Sequence, residues 1–242
     1  MPDFSRINSF LESYIEDDAG YLQDIYDDAR KRGIPVIRKN TRELLKLLIL
    51  ISRPEKILEV GTAVGYSALF MREAASAAGI KAKIVTLELD PDRAAEAGRN
   101  FEDHSESKSI AEADCEASDA ADGKSCGEAG RIKLLQGDAY LVMKEMTVSE
   151  YGTFDMIFID AAKAQYKNYM DEAVRLSRKG SIIVCDNIFL DGEILESHFL
   201  VEKRDRTVHD RMREFLRDIK NDERLETVLL SVGDGMSVSV VR

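Results

Sequence analysis

Five short apolar runs, each closed by a glycine or an acid, constrain this chain most: KILEVG from Lys56, AKIVTLELD from Ala82, IKLLQGD from Ile132, FDMIFID from Phe154 and SIIVCDN from Ser181. Strands that are apolar at nearly every position are buried on both faces, which is the condition of a parallel sheet. Between them the apolar residues return at helical spacing, over Tyr66–Ala78, Pro91–Asp103, Ala139–Met146 and Ala164–Arg178. Alternating β and α units predict a doubly wound α/β sheet, mostly parallel. Two last runs, Thr227–Ser231 and Met236–Val241, flank Gly-Asp-Gly and read as an antiparallel hairpin, giving seven expected strands.

Ahead of the sheet, residues 3–17 and 19–32 read as helices, and Thr41–Ser52 as a leucine-rich third one stopped by Pro54. One domain over 1–242 is expected, with N-terminal helices over 1–53. Residues 104–130 break the rhythm, with Ile110 their only large apolar residue, and are expected to be a mobile acidic insertion. No apolar run approaches the ~18 residues of a membrane helix. No basic stretch leads into an apolar block at the start, so a secretory signal is not expected. Cys115, Cys126 and Cys185 have neither metal nor disulfide-framework spacing, and reduced thiols in a cytoplasmic protein are the expectation.

A net charge of −11 argues against a general nucleic-acid surface, but the charge is unevenly spread. Phe101–Gly130 holds nine acids against two lysines and so carries −7. Ala29–Lys46 holds seven basic residues with Glu43 as its only acid. A second basic stretch, Lys203–Arg217, sets six basic residues against Asp205, Asp210 and Glu214.

In a doubly wound sheet, ligands bind beyond the carboxyl ends of the strands, so the residues there are the ones to read. After the first strand, Gly61 and Gly65 are spaced G-x-x-x-G, which permits a tight turn and a close ligand but lacks the full dinucleotide fingerprint. The second strand ends in Glu88, placed to accept ribose hydroxyls. After the third come Gly137, Asp138 and Ala139, where a carboxylate suits an adenine amino group. Singly, each of these is also an ordinary turn or helix cap. Three in register point to a nucleoside pocket. The fourth strand ends in Asp160 and the fifth in Asp186 and Asn187. Two carboxylates and an amide carbonyl are hard oxygen ligands suited to Mg²⁺. Lys163, one turn beyond Asp160, reads as a first-turn surface lysine or, beside such a metal, as a general base. Cys185 is expected to face the other side of the sheet.

Together ILEVGTAVGYS, VTLELDPD, QGDA, FIDAAK and VCDNIF resemble the class I S-adenosylmethionine-dependent, metal-dependent O-methyltransferases of the catechol and caffeoyl-CoA type. The resemblance covers about 3–104 and 131–241. It implies a cofactor site at Gly61, Ser67, Glu88, Asp138, Ala139 and Asp160, metal ligands at Asp160, Asp186 and Asn187, and a catalytic role for Lys163 together with Asp160.

Within that family, the bacterial tRNA 5-hydroxyuridine methyltransferases look most similar, through PVIRK, FIDAAKAQY, DNIFLDG, TVHDRMREFL and LLSVGDGMSVS. That branch implies cofactor contact at Ile37, a tRNA anticodon loop as substrate and a homodimer. The two basic clusters fit phosphate contacts. The chain has no tryptophan, and Ala162 stands beside the metal residues where the catechol branch has one. Methylation of a small catechol or caffeoyl-CoA-like phenol is the alternative substrate reading.

Overall fold

The computed structural model describes residues 4–18, 20–105 and 131–242. The insertion expected over 104–130 therefore lies outside the described residues from 106 onward.

Three helices lead the chain: α1 (Phe4–Glu12), α2 (Tyr21–Lys31) and α3 (Lys39–Ser52). Then come β1 (Lys56–Val60), α4 (Tyr66–Ala77), β2 (Lys83–Glu88) and α5 (Pro91–Asp103). After the insertion stand β3 (Ile132–Gln136), α6 (Ala139–Glu145), the short α7 (Val148–Tyr151) and β4 (Phe154–Ile159). A 3₁₀ turn (Lys163–Gln165) opens α8 (Tyr166–Leu176), which runs into β5 (Ser177–Asp186). A second 3₁₀ segment (Leu190–Leu195), α9 (Arg206–Asn221), β6 (Leu225–Leu230) and β7 (Met236–Val241) complete it. The seven strands form one sheet ordered β3-β2-β1-β4-β5-β7-β6. The first five are parallel, and β7 runs antiparallel to both β5 and β6.

Strand alternation sorts the core into two layers. In β4, Ile157 and Ile159 join Tyr166, Met170, Met212 and Phe215 under α8 and α9. Met156 and Phe158, one step out of phase, join Leu45, Ile49, Leu69 and Met71 under α3 and α4. All are essentially excluded from water. Each such side chain contributes about 1.5–3 kcal/mol by burial, and Phe158→Ala is expected to cost ~3–5 kcal/mol through the cavity it leaves. Because β1, β4 and β5 are neighbours, the residues just past their ends converge at one sheet edge.

Several boundaries differ from the expected ones, each for a local reason. The first helix ends at Glu12, not near 17. The Ser13 hydroxyl donates to the Phe10 carbonyl, and Arg42 of α3 holds the Glu16 carbonyl and the Asp18 carboxylate, so the chain turns instead of winding on. The helix expected to reach Arg178 stops at Leu176, and β5 starts at Ser177 through a polar stretch. Ser181 stitches that stretch to β4: its hydroxyl donates to the Phe154 carbonyl and accepts from the Arg178 amide. The turns at Val148–Tyr151 and Leu190–Leu195 are too short to leave a periodic signal. Pro91 does occupy the first turn of α5, capped by Asp90, whose carboxylate accepts from the Asp92 and Arg93 amides.

Candidate functional site

At the carboxyl edge of β1, β2, β3 and β4 lies a cavity of about 480 Å³, within the size range of small-molecule sites. Ile37, Gly61, Ser67, Glu88, Asp138, Ala139, Asp160, Lys163 and Asn187 all line it. Asp186 does not; it is fully buried behind the edge. These nine residues are brought to one cavity from six separate segments of the chain, while Gly65, Gly137 and Asp186 stand outside its lining.

The side built by β1 and β2 is tightly tied. Gly61 has φ 103°, and a Cβ on it would stand 2.0 Å from the Asp160 carbonyl oxygen. The close approach that demands glycine here is therefore to the backbone leaving β4. Gly65 has φ 87° as the cap of α4, and a Cβ there would meet the Phe101 ring at 2.5 Å. Both oxygens of Glu88 accept backbone amides, one from Ala63 at 2.7 Å and one from Asp90 at 2.9 Å. This acid thus fixes the loops after β1 and β2 while its edge faces the cavity, and each oxygen retains a lone pair for a further donor. Asp138 caps α6 by accepting from the Leu141 amide at 3.1 Å, so the cap and the cavity wall are the same residue.

Beneath this side sits Glu59, to which the sequence motifs assign no role. It is fully buried and accepts hydroxyl bonds from Ser67 and Thr86, while Thr62 donates to Thr86. Burial pushes its carboxyl up to about 7, against the two hydroxyl donors that favour the charge. The signal was present in the sequence: a lone acid inside ILEV has to be buried with partners.

The side built by β4 and β5 is different. Lys163 Nζ donates to Asp160 Oδ1 at 2.8 Å and to the Tyr166 hydroxyl at 2.8 Å. Tyr166 in turn donates to the Asp186 carbonyl at 2.8 Å. Asp186 Oδ1 accepts from the Asn187 amide at 2.8 Å and from the Thr41 hydroxyl at 3.3 Å. Asp186 Oδ2 is buried and has no hydrogen-bond partner among the described residues. Burial, then the charge of Asp160, pushes the Asp186 carboxyl well above the ordinary carboxylate range. Asn187 is left-handed with φ 56°, a conformation that asparagine tolerates better than most residues. Tyr166 and Thr41 went unread in the sequence. Tyr166 is one turn beyond Lys163, whereas Thr41 lies 145 residues from its partner and leaves no linear signal. Cys185 faces the opposite layer, as alternation requires, and burial raises its thiol to about 12.

An orphaned buried carboxylate oxygen beside a second carboxylate and an amide side chain is a donor set that suits a hard divalent cation. The residues present therefore fit the Mg²⁺ that the sequence pattern implied.

The two basic clusters are largely spent within the molecule. Arg32 pairs with Asp28 and Glu96, Arg38 with Asp191, Lys39 with Asp17, and Arg42 with Asp18. In the second cluster Arg204 pairs with Glu202 and Asp205, while Arg206, Arg211, Arg213 and Arg217 donate to backbone carbonyls. Among the described residues no helix is long and apolar enough to cross a membrane.

The profile of a family described as O-methyltransferase matches residues 15–122 and 108–241. A catechol O-methyltransferase of Niastella koreensis is 31% identical over 200 residues, covering 80% of this chain and 79% of that protein. A catechol O-methyltransferase of Mycobacterium tuberculosis is 28% identical, covering 81% and 77%. In structure, the O-methyltransferase of Bacillus cereus in complex with S-adenosylhomocysteine superposes with a TM-score of 0.73 at 23% identity, covering 98% of this chain and 97% of that one, which establishes the shared fold.

Proposed function

The chain belongs to the O-methyltransferase family, and we propose that it methylates a hydroxyl of a small catechol-type phenol, with S-adenosylmethionine as methyl donor and Mg²⁺ as the metal. The observation that carries this reading is Asp186 Oδ2, without a hydrogen-bond partner among the described residues and buried behind the cavity edge where Asp160 and Asn187 line it. Mere cofactor binding has no use for it. The substrate class is taken from the two curated relatives, both named catechol O-methyltransferase.

In this reading Gly61, Ser67, Glu88, Asp138, Ala139 and Ile37 hold the donor, with the Asp160 backbone against Gly61. Glu88 keeps two backbone amides and offers its remaining lone pairs to the ribose. Asp160, Asp186 and Asn187 would hold the cation, whose Lewis acidity favours the ionised form of a phenol hydroxyl. Lys163, steadied by Asp160 and Tyr166, is placed to take the departing proton. Methyl transfer then depends mainly on positioning and a preorganised electrostatic field. The whole of 1–242 acts as one catalytic domain. A homodimer completes the reading, since Phe10, Leu11 and Tyr14 near α1 and Leu47, Leu50 and Ile51 on α3 are exposed apolar side chains.

The tRNA wobble uridine moves to second place. It rested on the motif resemblance with the basic clusters as support, and Arg32, Arg38, Lys39, Arg42 and Arg204 of those clusters already pair with acids of the same chain. The test is a direct competition: purified protein, S-adenosylmethionine and Mg²⁺ with either a catechol or tRNA bearing 5-hydroxyuridine. Methylated catechol by mass spectrometry, abolished by chelator, is the expected result. Formation of 5-methoxyuridine without catechol turnover reverses the order of the two substrates. Turnover unaffected by chelator removes the metal from the reading.

A further inference from the structure

The chain has three histidines, His104, His198 and His209, and two of them meet at one carboxylate. His198 lies in the segment after the second 3₁₀ turn; His209 and Asp210 lie in the first turns of α9. His198 Nδ1 stands 2.9 Å from Asp210 Oδ1, and His209 Nδ1 stands 3.3 Å from the same oxygen. The ligand atoms of all three residues lie within 4.8 Å of one another.

The protonation of His209 makes this cluster more than a surface ion pair. The ring is 1% exposed, and its Nε2 stands 3.2 Å from the Glu196 carbonyl oxygen. A carbonyl only accepts, so Nε2 carries the hydrogen. In the neutral ring Nδ1 then presents a lone pair, and it presents it to Asp210, which is an acceptor too. Either a proton on Nδ1 or a metal ion between the two resolves the clash. An imidazole whose far nitrogen donates to a backbone carbonyl is also the arrangement that orients metal-binding histidines. A tetrahedral site with bonds of ~2.0–2.1 Å places its ligand atoms roughly 3.3 Å apart, close to the 2.9 and 3.3 Å that separate the two Nδ1 atoms from Asp210 Oδ1. Two imidazoles and one carboxylate select borderline ions such as Zn²⁺ over Mg²⁺, which sets this cluster apart from the all-oxygen set at Asp160.

We propose that His198, His209 and Asp210 form a second metal site, for Zn²⁺ or a similar transition ion, that fastens the segment 196–205 to α9. The segment presents Phe199 and Leu200 to solvent, and it is otherwise held by the burial of Val201, by the His209 amide on the Asp205 carbonyl, and by the hydrogen bonds of Arg206 to the Val201 and Phe199 carbonyls and of Arg213 to the Glu196 carbonyl.

The test uses the full chain, ¹⁵N-labelled, with saturating Mg²⁺ to occupy the oxygen site. One equivalent of Zn²⁺ is expected to shift the Nδ1 resonances of His198 and His209 and to leave His104 in place. Calorimetry on His198→Ala, an exposed position that spares the core, is expected to give Zn²⁺ binding weaker by at least about tenfold. Asp210→Asn is expected to do the same. A His209 ring protonated on both nitrogens and indifferent to Zn²⁺ overturns the proposal, because a proton is then the positive centre. Zn²⁺ binding equal in wild type, His198→Ala and Asp210→Asn overturns it as well.

Discussion

The two sides of the cavity hold the same chemical group in opposite conditions. On the side of β1 and β2, every carboxylate oxygen has a partner in the fold: Glu59 accepts two hydroxyls and Glu88 two backbone amides. On the side of β4 and β5, Asp186 is as deeply buried as Glu59 but keeps one oxygen without a partner. A buried acceptor left unpaired costs about 1–3 kcal/mol, more when charged. The molecule thus carries no such cost where it shapes a pocket and tolerates it where a cation would remove it. The contrast separates carboxylates whose oxygens are all engaged by the fold from the one whose free oxygen the proposed cation would take.

Four variants test that separation. The largest effect is expected from Asp186→Ala: turnover of a catechol falls by about a thousandfold or more, the scale of losing a preorganised charge-stabilising group. S-adenosylmethionine affinity by calorimetry should change little, and a collapse of both would erase the distinction between the sides. Glu88→Ala is expected to do the reverse, weakening the donor by roughly a hundredfold while leaving Mg²⁺ affinity intact, since charged hydrogen bonds and two loop anchors go together.

Glu59→Gln probes the side of β1 and β2 without touching the ligand. The folded carboxyl is raised from 4.5 to about 7, so its stability contribution is full below pH ~4.5 and is lost as pH rises through about 7. The loss is roughly 3 kcal/mol by linkage. Thermal melts of the ligand-free protein should therefore decline less between pH 5 and pH 8 in Glu59→Gln than in wild type; parallel declines would mean that Glu59 stays ionised. Tyr166→Phe is expected to be mildest, with kcat down about tenfold and KM for the donor unchanged, because Lys163 retains Asp160 but loses one of two anchors. A change in donor KM would place Tyr166 with the opposite side.

How much of the molecule was legible depends on where each signal lies. The parallel strands were visible because burial on both faces writes them as uninterrupted apolar runs. The first residues of β5 were not, because Ser177 to Gly180 are polar and are held as strand by Ser181. Asp160, Asp186 and Asn187 could be found because each closes or directly succeeds an apolar run. Thr41 could not, since only the folded chain brings α3 to Asp186. The partners of the basic clusters were hidden for the same reason. The acids that neutralise Arg32 and Arg38, Glu96 and Asp191, lie 64 and 153 residues away, so a local count records the charge and misses its partner.

The contact between Gly61 and the Asp160 carbonyl has one more consequence. The loop proposed to cradle the donor and the strand end proposed to address the acceptor belong to different βα units, yet they touch where a single methyl group would not fit. The spacing between these two backbone segments is therefore gauged by one hydrogen atom. A methyl transfer of the proposed kind is an in-line displacement that tolerates little error in position, and a larger side chain at Gly61 would push the two segments, and with them both halves of the proposed site, apart.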